Sequence, residues 1–159
     1  MKKIKKILLL LLVCTTLVSL TGCGNENVEG TLNEIMTKVY AGIKEDEKPM
    51  LANINVLEET PDNVAYYIGT TDIEYEEILV SEPMMGSIAH SVVLVRMKDG
   101  ADIEGAKEQI LQNVNPRKWV CVWVEEEDVI VKNKGDLIIL IMVEDENTRN
   151  KIEEGFDNL

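Results

Sequence analysis

Apolar and polar positions repeat along this chain with periods that predict helices near its two ends and strands between them. Apolar residues recur at helical spacing over residues 32–44, behind a Thr31–Glu34 capping-box pattern. The same spacing returns over residues 103–114, where Asp102 can act as the N-cap. Ile152 and Phe156, four residues apart, predict a C-terminal helix with one apolar face.

Short runs rich in Val, Ile and Leu predict the strands of a sheet. They lie at residues 76–81, 91–97, 119–124, 129–131 and 137–143. The third and fifth runs are apolar at consecutive positions, which is typical of strands covered on both faces. Asn133, Lys134 and Gly135 predict a hairpin turn, whereas residues 50–72 show no sustained period and leave a short helix or irregular loops open.

This order of elements predicts an α+β fold after a cleaved lipoprotein signal peptide. We expect a mainly antiparallel sheet of about four to five strands, packed by about two to three helices. One domain over residues 31–159 has a length that suits a single core.

The N terminus carries the pattern of an export signal. Four lysines lie between positions 2 and 6, an apolar run covers residues 7–18, and Gly22 directly precedes Cys23. A transmembrane helix is the alternative, but the apolar run is shorter than the roughly 20 residues that a span requires. Residues 1–22 are therefore predicted to be a lipoprotein signal peptide, and residues 23–30 an acylated cysteine with its tether.

Acylation of Cys23 would place the protein on the extracytoplasmic face of the cell membrane. The two chains of a diacylglyceryl thioether, of palmitate type, hold stably, since each buried CH₂ contributes about 0.8 kcal/mol. Residues 24–30 can span at most roughly 23 Å when fully extended, so the domain is expected to stay near the bilayer.

The charge balance is strongly acidic. The chain has 16 basic and 29 acidic residues, a formal charge of −13. Loss of the four signal lysines would leave 12 basic residues and a charge of −17. Such a field disfavours nucleic acid and favours solubility, cationic partners or metal cations without distinguishing among them.

Three sequence strings resemble a known family. They are EPMMGSIAHS at residues 82–91, NPRKWVCV at 115–122 and KGDL at 134–137. These strings resemble an uncharacterised clostridial lipoprotein family, of the domain of unknown function 4358 type, over residues 30–145. The resemblance implies a Gram-positive, lipid-anchored, extracytoplasmic protein with one small α+β domain. It implies no assigned activity and no catalytic residue.

Cys121 and His90 are the groups that a thiol enzyme would have to use. If Cys14 leaves with the signal and Cys23 is acylated, Cys121 is the remaining thiol, and His90 is the chain's one imidazole. The competing interpretation, which we favour, makes Cys121 a buried small hydrophobe in its strand and His90 a turn or partly buried residue with a local hydrogen bond.

Four consecutive carboxylates at residues 125–128 are oxygen ligands of the kind that Ca²⁺ prefers. A calcium loop spaces its ligands at alternate positions around a glycine, so a solvated hairpin tip is favoured here. The chain has no glycine-rich phosphate loop, HExxH, GxSxG or paired His/Cys metal spacing. We therefore assign no catalytic residue, cofactor or metal.

Met84, Met85, Trp119 and Trp123 are the candidate interaction residues. Exposed thioethers and indoles are adaptable contact groups, although both methionines could instead fill the end of the sheet. The expected function is a lipid-anchored, non-catalytic binding or envelope-assembly module with a protein partner of unknown identity. The alternatives are an uncharacterised envelope hydrolase and a cation-binding sensor.

Overall fold

The computed structural model describes residues 27–44, 51–55, 60–83 and 85–159, with side chains outside 51–55. Within these ranges, five strands form one sheet and four α-helices pack on it, which confirms the predicted α+β class. The signal peptide and Cys23 lie outside the described residues. No helix within them has the length and apolar character that a bilayer crossing demands.

The elements alternate irregularly along the chain. The helices are α1 (Leu32–Val39), α2 (Pro61–Ile68), α3 (Ile103–Asn113) and α4 (Glu146–Asp157). The strands are β1 (Leu51–Asn55), β2 (Tyr75–Pro83), β3 (His90–Met97), β4 (Ile130–Lys134) and β5 (Leu137–Val143). A short 3₁₀ turn, Glu126–Asp128, precedes β4.

The strands lie in the order β1-β2-β3-β5-β4, and every neighbouring pair is antiparallel. Val93 on β3 faces Val80 on one side and Leu140 on the other. The β4–β5 hairpin closes with Lys134 opposite Leu137, so Gly135 and Asp136 form the turn, one residue later than expected. Gly135 has φ +57°, which glycine adopts without a Cβ clash.

Helices cover both faces of the sheet. α1 and α4 pack on one face and α2 and α3 on the other, each with its own buried apolar cluster. β5 is buried at every position, because alternate side chains enter the two clusters. This confirms the prediction that the apolar run at residues 137–143 is a strand covered on both faces.

Side-chain caps position three of the helices. Thr31 and Glu34 form the predicted capping box of α1, Asp102 accepts from Gly105 N at 3.0 Å, and Asp145 caps α4 by accepting from Thr148 N. α1 is shorter than the predicted residues 32–44, because the chain turns after Val39. The buried Ile43 belongs to that turn and still packs in the core.

The predicted strand at residues 119–124 is wrong. These residues belong to an irregular connection between α3 and the 3₁₀ turn, in which Cys121 has φ +65°. The strand pairings of the described sheet do not include these residues, and the left-handed Cys121 departs from the extended backbone of a strand. Part of its continuous apolar character instead reflects the packing of Val124, Trp119 and Val122 against the α2/α3 cluster.

The stretch without a clear period contains β1 and α2. Pro61 begins α2, and Gly69 ends it with φ +78°. A Cβ on Gly69 would lie 2.2 Å from the carbonyl carbon of Asn113, so this glycine also allows α2 to approach the end of α3. The described part therefore has four helices, whereas two to three were expected.

Contacts with the sheet begin before residue 31. Arg96, near the end of β3, donates to the carbonyl oxygens of Val28 at 3.1 Å and Gly30 at 2.9 Å. Val28 also packs against the α1/α4 cluster. Part of the predicted tether is thus bound to the sheet.

Candidate functional site

A buried lysine lies at the end of the sheet where β2 finishes and β3 begins. Lys118 comes from the irregular connection, and its side chain is 1% exposed. Its Nζ contacts a carboxylate oxygen of Glu82 on β2 and lies 3.3 Å from Ser91 Oγ on β3. The Lys118 ammonium therefore links the irregular connection between α3 and the 3₁₀ turn to β2 and β3.

Three aromatic rings surround the same ammonium. Lys118 Nζ lies 4.7 Å from the ring centroid of Tyr66, 5.0 Å from that of Tyr67 and 5.3 Å from that of Trp119. Ring faces attract cations electrostatically, and more strongly when water is excluded. Two aromatic residues of α2 and one of the connection thus complete an enclosure around this charge.

The pKa values at this position reflect burial. Burial lowers the pKa of Lys118, and the charge and hydrogen bond of Glu82 oppose that shift. Burial raises the pKa values of Tyr66 and Tyr67, and the charge of Glu82 acts in the same direction. Ser91 is fully buried and Lys118 almost so, which keeps solvent from both groups.

Backbone hydrogen bonds hold the connection in a compact form. Val124 N donates to Pro116 O at 2.9 Å and closes residues 116–124 into a loop. Val120 N donates to Gly86 O at 2.8 Å, which ties this loop to the β2–β3 turn. Binding residues commonly lie on loops that a rigid scaffold, such as a β-sheet, holds in position.

These two loops and α2 expose four large apolar side chains. They are Tyr66, Met85, Val120 and Trp123, with Val120 the most exposed at 67%. Each lies on or beside the irregular connection: the Tyr66 ring contacts Lys118, the backbone of Val120 bonds to the turn that carries Met85, and Arg117 lies over the Trp123 ring. We call these four side chains the apolar loop surface.

Trp123 is held in position on this surface. Its Nε1 donates to Glu125 Oε1 at 2.8 Å, and the Arg117 guanidinium lies 5.2 Å from its ring centroid. Arg117 and Glu125 also form an ion pair, with 3.6 Å between Arg117 Nη2 and Glu125 Oε2. The indole is therefore orientated before any partner arrives, which lowers the entropy cost of binding.

A shallow groove of about 230 Å³ runs beside Trp123. It is lined by the loop residues Cys121, Val122, Trp123, Val124 and Glu125, together with Asp128 and Glu144. Asp128 pairs with Arg149 at 2.7 Å, and Arg149 also donates to the carbonyl oxygens of Val143 and Glu144. The groove thus joins the loop to the end of β5.

The predicted interaction residues have different environments. Met85 and Trp123 are exposed on the apolar loop surface, while Trp119 is half-buried and packs over Lys118. Met84 lies outside the described residues. The prediction that Cys121 is buried in a strand is wrong, because the loop turns its thiol into solvent.

His90 lies on the opposite face of the sheet from Lys118. Its Nε2 is 2.7 Å from the hydroxyl of Tyr40, which lies 50 residues away in sequence, and its side chain is buried. The contact is therefore long-range, whereas a local hydrogen bond was expected. Burial lowers the pKa of His90 to about 4 and raises that of Tyr40. The exposed Cys121 and the buried His90 therefore occupy different environments.

The acidic run at residues 125–128 forms the 3₁₀ turn before β4 rather than a hairpin tip. Glu126 and Glu127 point into solvent and Asp128 pairs with Arg149. Within the described ranges, no group of three or more acidic, cysteine or histidine side chains is arranged to hold a metal ion.

Sequence reasoning missed Lys118 and Glu82. Glu82 follows Ile78 and Val80 at alternate positions, so a carboxylate falls on an inward face of β2. A buried carboxylate requires a partner. The alternate spacing of Glu82 therefore indicated a buried carboxylate. Nothing in the local sequence indicated which lysine would be its partner.

No family model, curated protein or solved structure matches this chain. Membership of the clostridial lipoprotein family therefore stays a prediction.

Proposed function

We propose that this protein is a lipid-anchored, extracytoplasmic binding module that contacts a protein partner through the apolar loop surface. The anchor would be the acylated Cys23, and the family would be the clostridial lipoprotein family that the sequence resembles. In this proposal the domain performs no catalysis.

The exposed loops carry the proposal. Large apolar side chains that cluster on a surface mark contact sites more often than scattered ones do. Here three of the four lie on loops that a buried ion pair and backbone hydrogen bonds hold in place, and the fourth, Tyr66, lies on α2 against the same lysine. Trp and Tyr also contribute much of the binding energy in protein interfaces.

An envelope hydrolase is the alternative from a different class. Its strongest support is the 3.3 Å contact between Ser91 Oγ and Lys118 Nζ, since a lysine can activate a serine. Against it, both side chains are buried, aromatic rings surround the ammonium, and the ammonium pairs with Glu82. A serine-reactive fluorophosphonate that labelled the native protein at Ser91 would favour the hydrolase.

Site-specific crosslinking in the native membrane tests the binding proposal. A photoreactive amino acid at Val120 is expected to yield discrete protein adducts in cells that express the full-length chain. The same amino acid at Leu111 is the matched control, because Leu111 on α3 is 53% exposed but lies outside the apolar loop surface. Trp123→Ala in the Val120 background is expected to reduce the adducts at least severalfold.

Equal adduct patterns at Val120 and Leu111 would contradict the proposal. So would adducts that survive Trp123→Ala unchanged, because the tryptophan is central to the proposed contact.

A further inference from the structure

We infer that the apolar loop surface faces away from the anchoring membrane and accepts a protein whose apolar contact is bordered by lysine or arginine side chains. This inference rests on the proposed function, and it names the direction and the chemistry of the partner.

The N-terminal segment leaves the domain at one end of the sheet. Arg96 holds the carbonyls of Val28 and Gly30 at the end of β3. The same guanidinium lies 3.4 Å from Asp136 in the β4–β5 turn. An anchor at Cys23 would therefore pull on this end of the domain.

The apolar loop surface lies at the other end of the same strands. Ser91 contacts Lys118, and the β2–β3 turn contacts Val120 through Gly86. Ser91 and Arg96 are five residues apart on β3, which corresponds to about 17 Å of strand. The loops extend beyond Ser91, so they project from the end opposite the anchor.

The border of this surface is acidic. Glu125, Glu126, Glu127 and Glu144 are exposed there, and among the described residues of this border the exposed cation is Arg117, which pairs with Glu125. The chain as a whole carries a formal charge of −13. This field attracts a basic partner and repels the anionic lipid headgroups that an exposed indole would otherwise enter.

Trp123 can recognise a cation directly. Arg117 already lies over its ring, which shows that a guanidinium fits against the exposed indole. A basic side chain of the partner can approach the remaining ring surface from the groove beside Glu144. Apolar contact and cation recognition would then occur on neighbouring groups.

Fluorescence quenching by lipid-bound nitroxides tests the direction. A fluorophore is attached to the native Cys121 of the full-length, acylated protein in phosphatidylcholine vesicles with nitroxide headgroups. The matched label is at Lys98→Cys in a Cys121→Ser background, because Lys98 is exposed beside the Arg96 end. We expect the label at residue 98 to be quenched severalfold more than the label at Cys121.

Quenching at Cys121 that equals or exceeds that at residue 98 would overturn the direction. It would show that the apolar loop surface lies against lipid.

Two short synthetic peptides test the chemistry of the partner. Both have a Leu-Trp-Leu centre, flanked by lysines in one and by glutamates in the other. Isothermal titration of the full-length protein in phosphatidylcholine nanodiscs is expected to show at least about tenfold tighter binding of the lysine peptide.

Two double variants with the same net charge distinguish the effect of the acidic border on binding from the effect of the overall charge. Glu126→Gln with Glu144→Gln is expected to weaken the lysine peptide severalfold, whereas Asp99→Asn with Glu108→Gln changes the net charge equally and should leave binding unchanged. Equal loss in both variants, or no binding of the lysine peptide, would overturn the basic-partner inference. Specific adducts at Val120 together with either failure would leave the binding module intact and reject only this inference.

Discussion

Lys118 is the residue on which the exposed loop depends most. Its ammonium is buried among three rings and pairs with Glu82. Without this partner, the buried carboxylate of Glu82 would be unpaired, which is energetically unfavourable. The pair fixes a loop that has no regular secondary structure of its own. Its role is therefore to define one conformation, a use of buried ion pairs that other proteins also show.

Removing one member of this pair should destabilise the domain. We expect Lys118→Met to lower the free energy of unfolding by about 3 kcal/mol, because Glu82 is left buried without its partner. Arg117→Met, which breaks the neighbouring exposed pair with Glu125, should cost less than about 1 kcal/mol. Urea unfolding of the detergent-solubilised full-length chain, followed by circular dichroism, measures both.

The double variant Lys118→Met/Glu82→Leu tests the cause. It should recover most of the lost stability, since no unpaired charge remains. A double variant as unstable as the single one would refute the unpaired-charge explanation.

His90 makes stability depend on pH in the acid range. Its pKa is lowered to about 4 in the folded domain, so the unfolded chain binds the proton more readily. The stability that depends on His90 being neutral is fully present at pH values above the ordinary pKa of histidine. It is lost as the pH falls through the pKa that His90 has in the folded domain. Between pH 7 and pH 5 the loss attributable to this residue should be about 2 kcal/mol.

The measurement compares the native chain with His90→Gln at both pH values. The variant should be less stable at pH 7, where the contact with Tyr40 is altered, but should show a smaller drop on acidification. An identical drop in both proteins would assign the pH dependence to the carboxylates instead.

At the scale of elements, the contact between α1 and α4 depends on a glycine. A Cβ on Gly155 would lie 2.2 Å from the carbonyl oxygen of Val39, so the two helices approach with no side chain between them. This contact closes one of the two apolar clusters, which includes Ile152 and Phe156.

Gly155→Ala should therefore destabilise the protein by about 1–3 kcal/mol, despite the better helix propensity of alanine. Gly42→Ala is the control, because its Cβ would meet only Lys151 Cβ at 3.9 Å. Its free energy of unfolding should change by less than about 0.5 kcal/mol. Stabilisation by Gly155→Ala would show that α1 and α4 do not pack this closely in solution.

At the scale of the whole molecule, the proposed lipid anchor at Cys23 would decide where the domain acts. Cys23→Ser is expected to move the protein from the membrane fraction to the culture medium or soluble extract, because no thioether can form. Cys121→Ser should stay in the membrane, since that thiol is separate from the anchor. Fractionation and immunoblotting measure both, and membrane retention of the Cys23 variant would exclude acylation as the anchor.

The regular elements of the fold were predictable because they depend on local periodicity and caps. Thr31 and Glu34 predict the start of α1, Asp102 predicts the start of α3, and the apolar run at residues 137–143 predicts β5. The candidate site was only partly predictable. Met85 and Trp123 stood out as contact groups, but Lys118 and Glu82 lie 36 residues apart in sequence and meet only after folding.

The sequence by itself determined the helix and strand periods of the main elements, the acidic charge and the export pattern, since each is a property of neighbouring residues or of composition. The tertiary structure alone decided that residues 119–124 form a loop, that Cys121 is exposed and that Lys118 is buried. The same continuous apolar run suits a strand or a loop packed on a core. Only long-range contacts, here with Glu82, Ser91 and Gly86, distinguish the two.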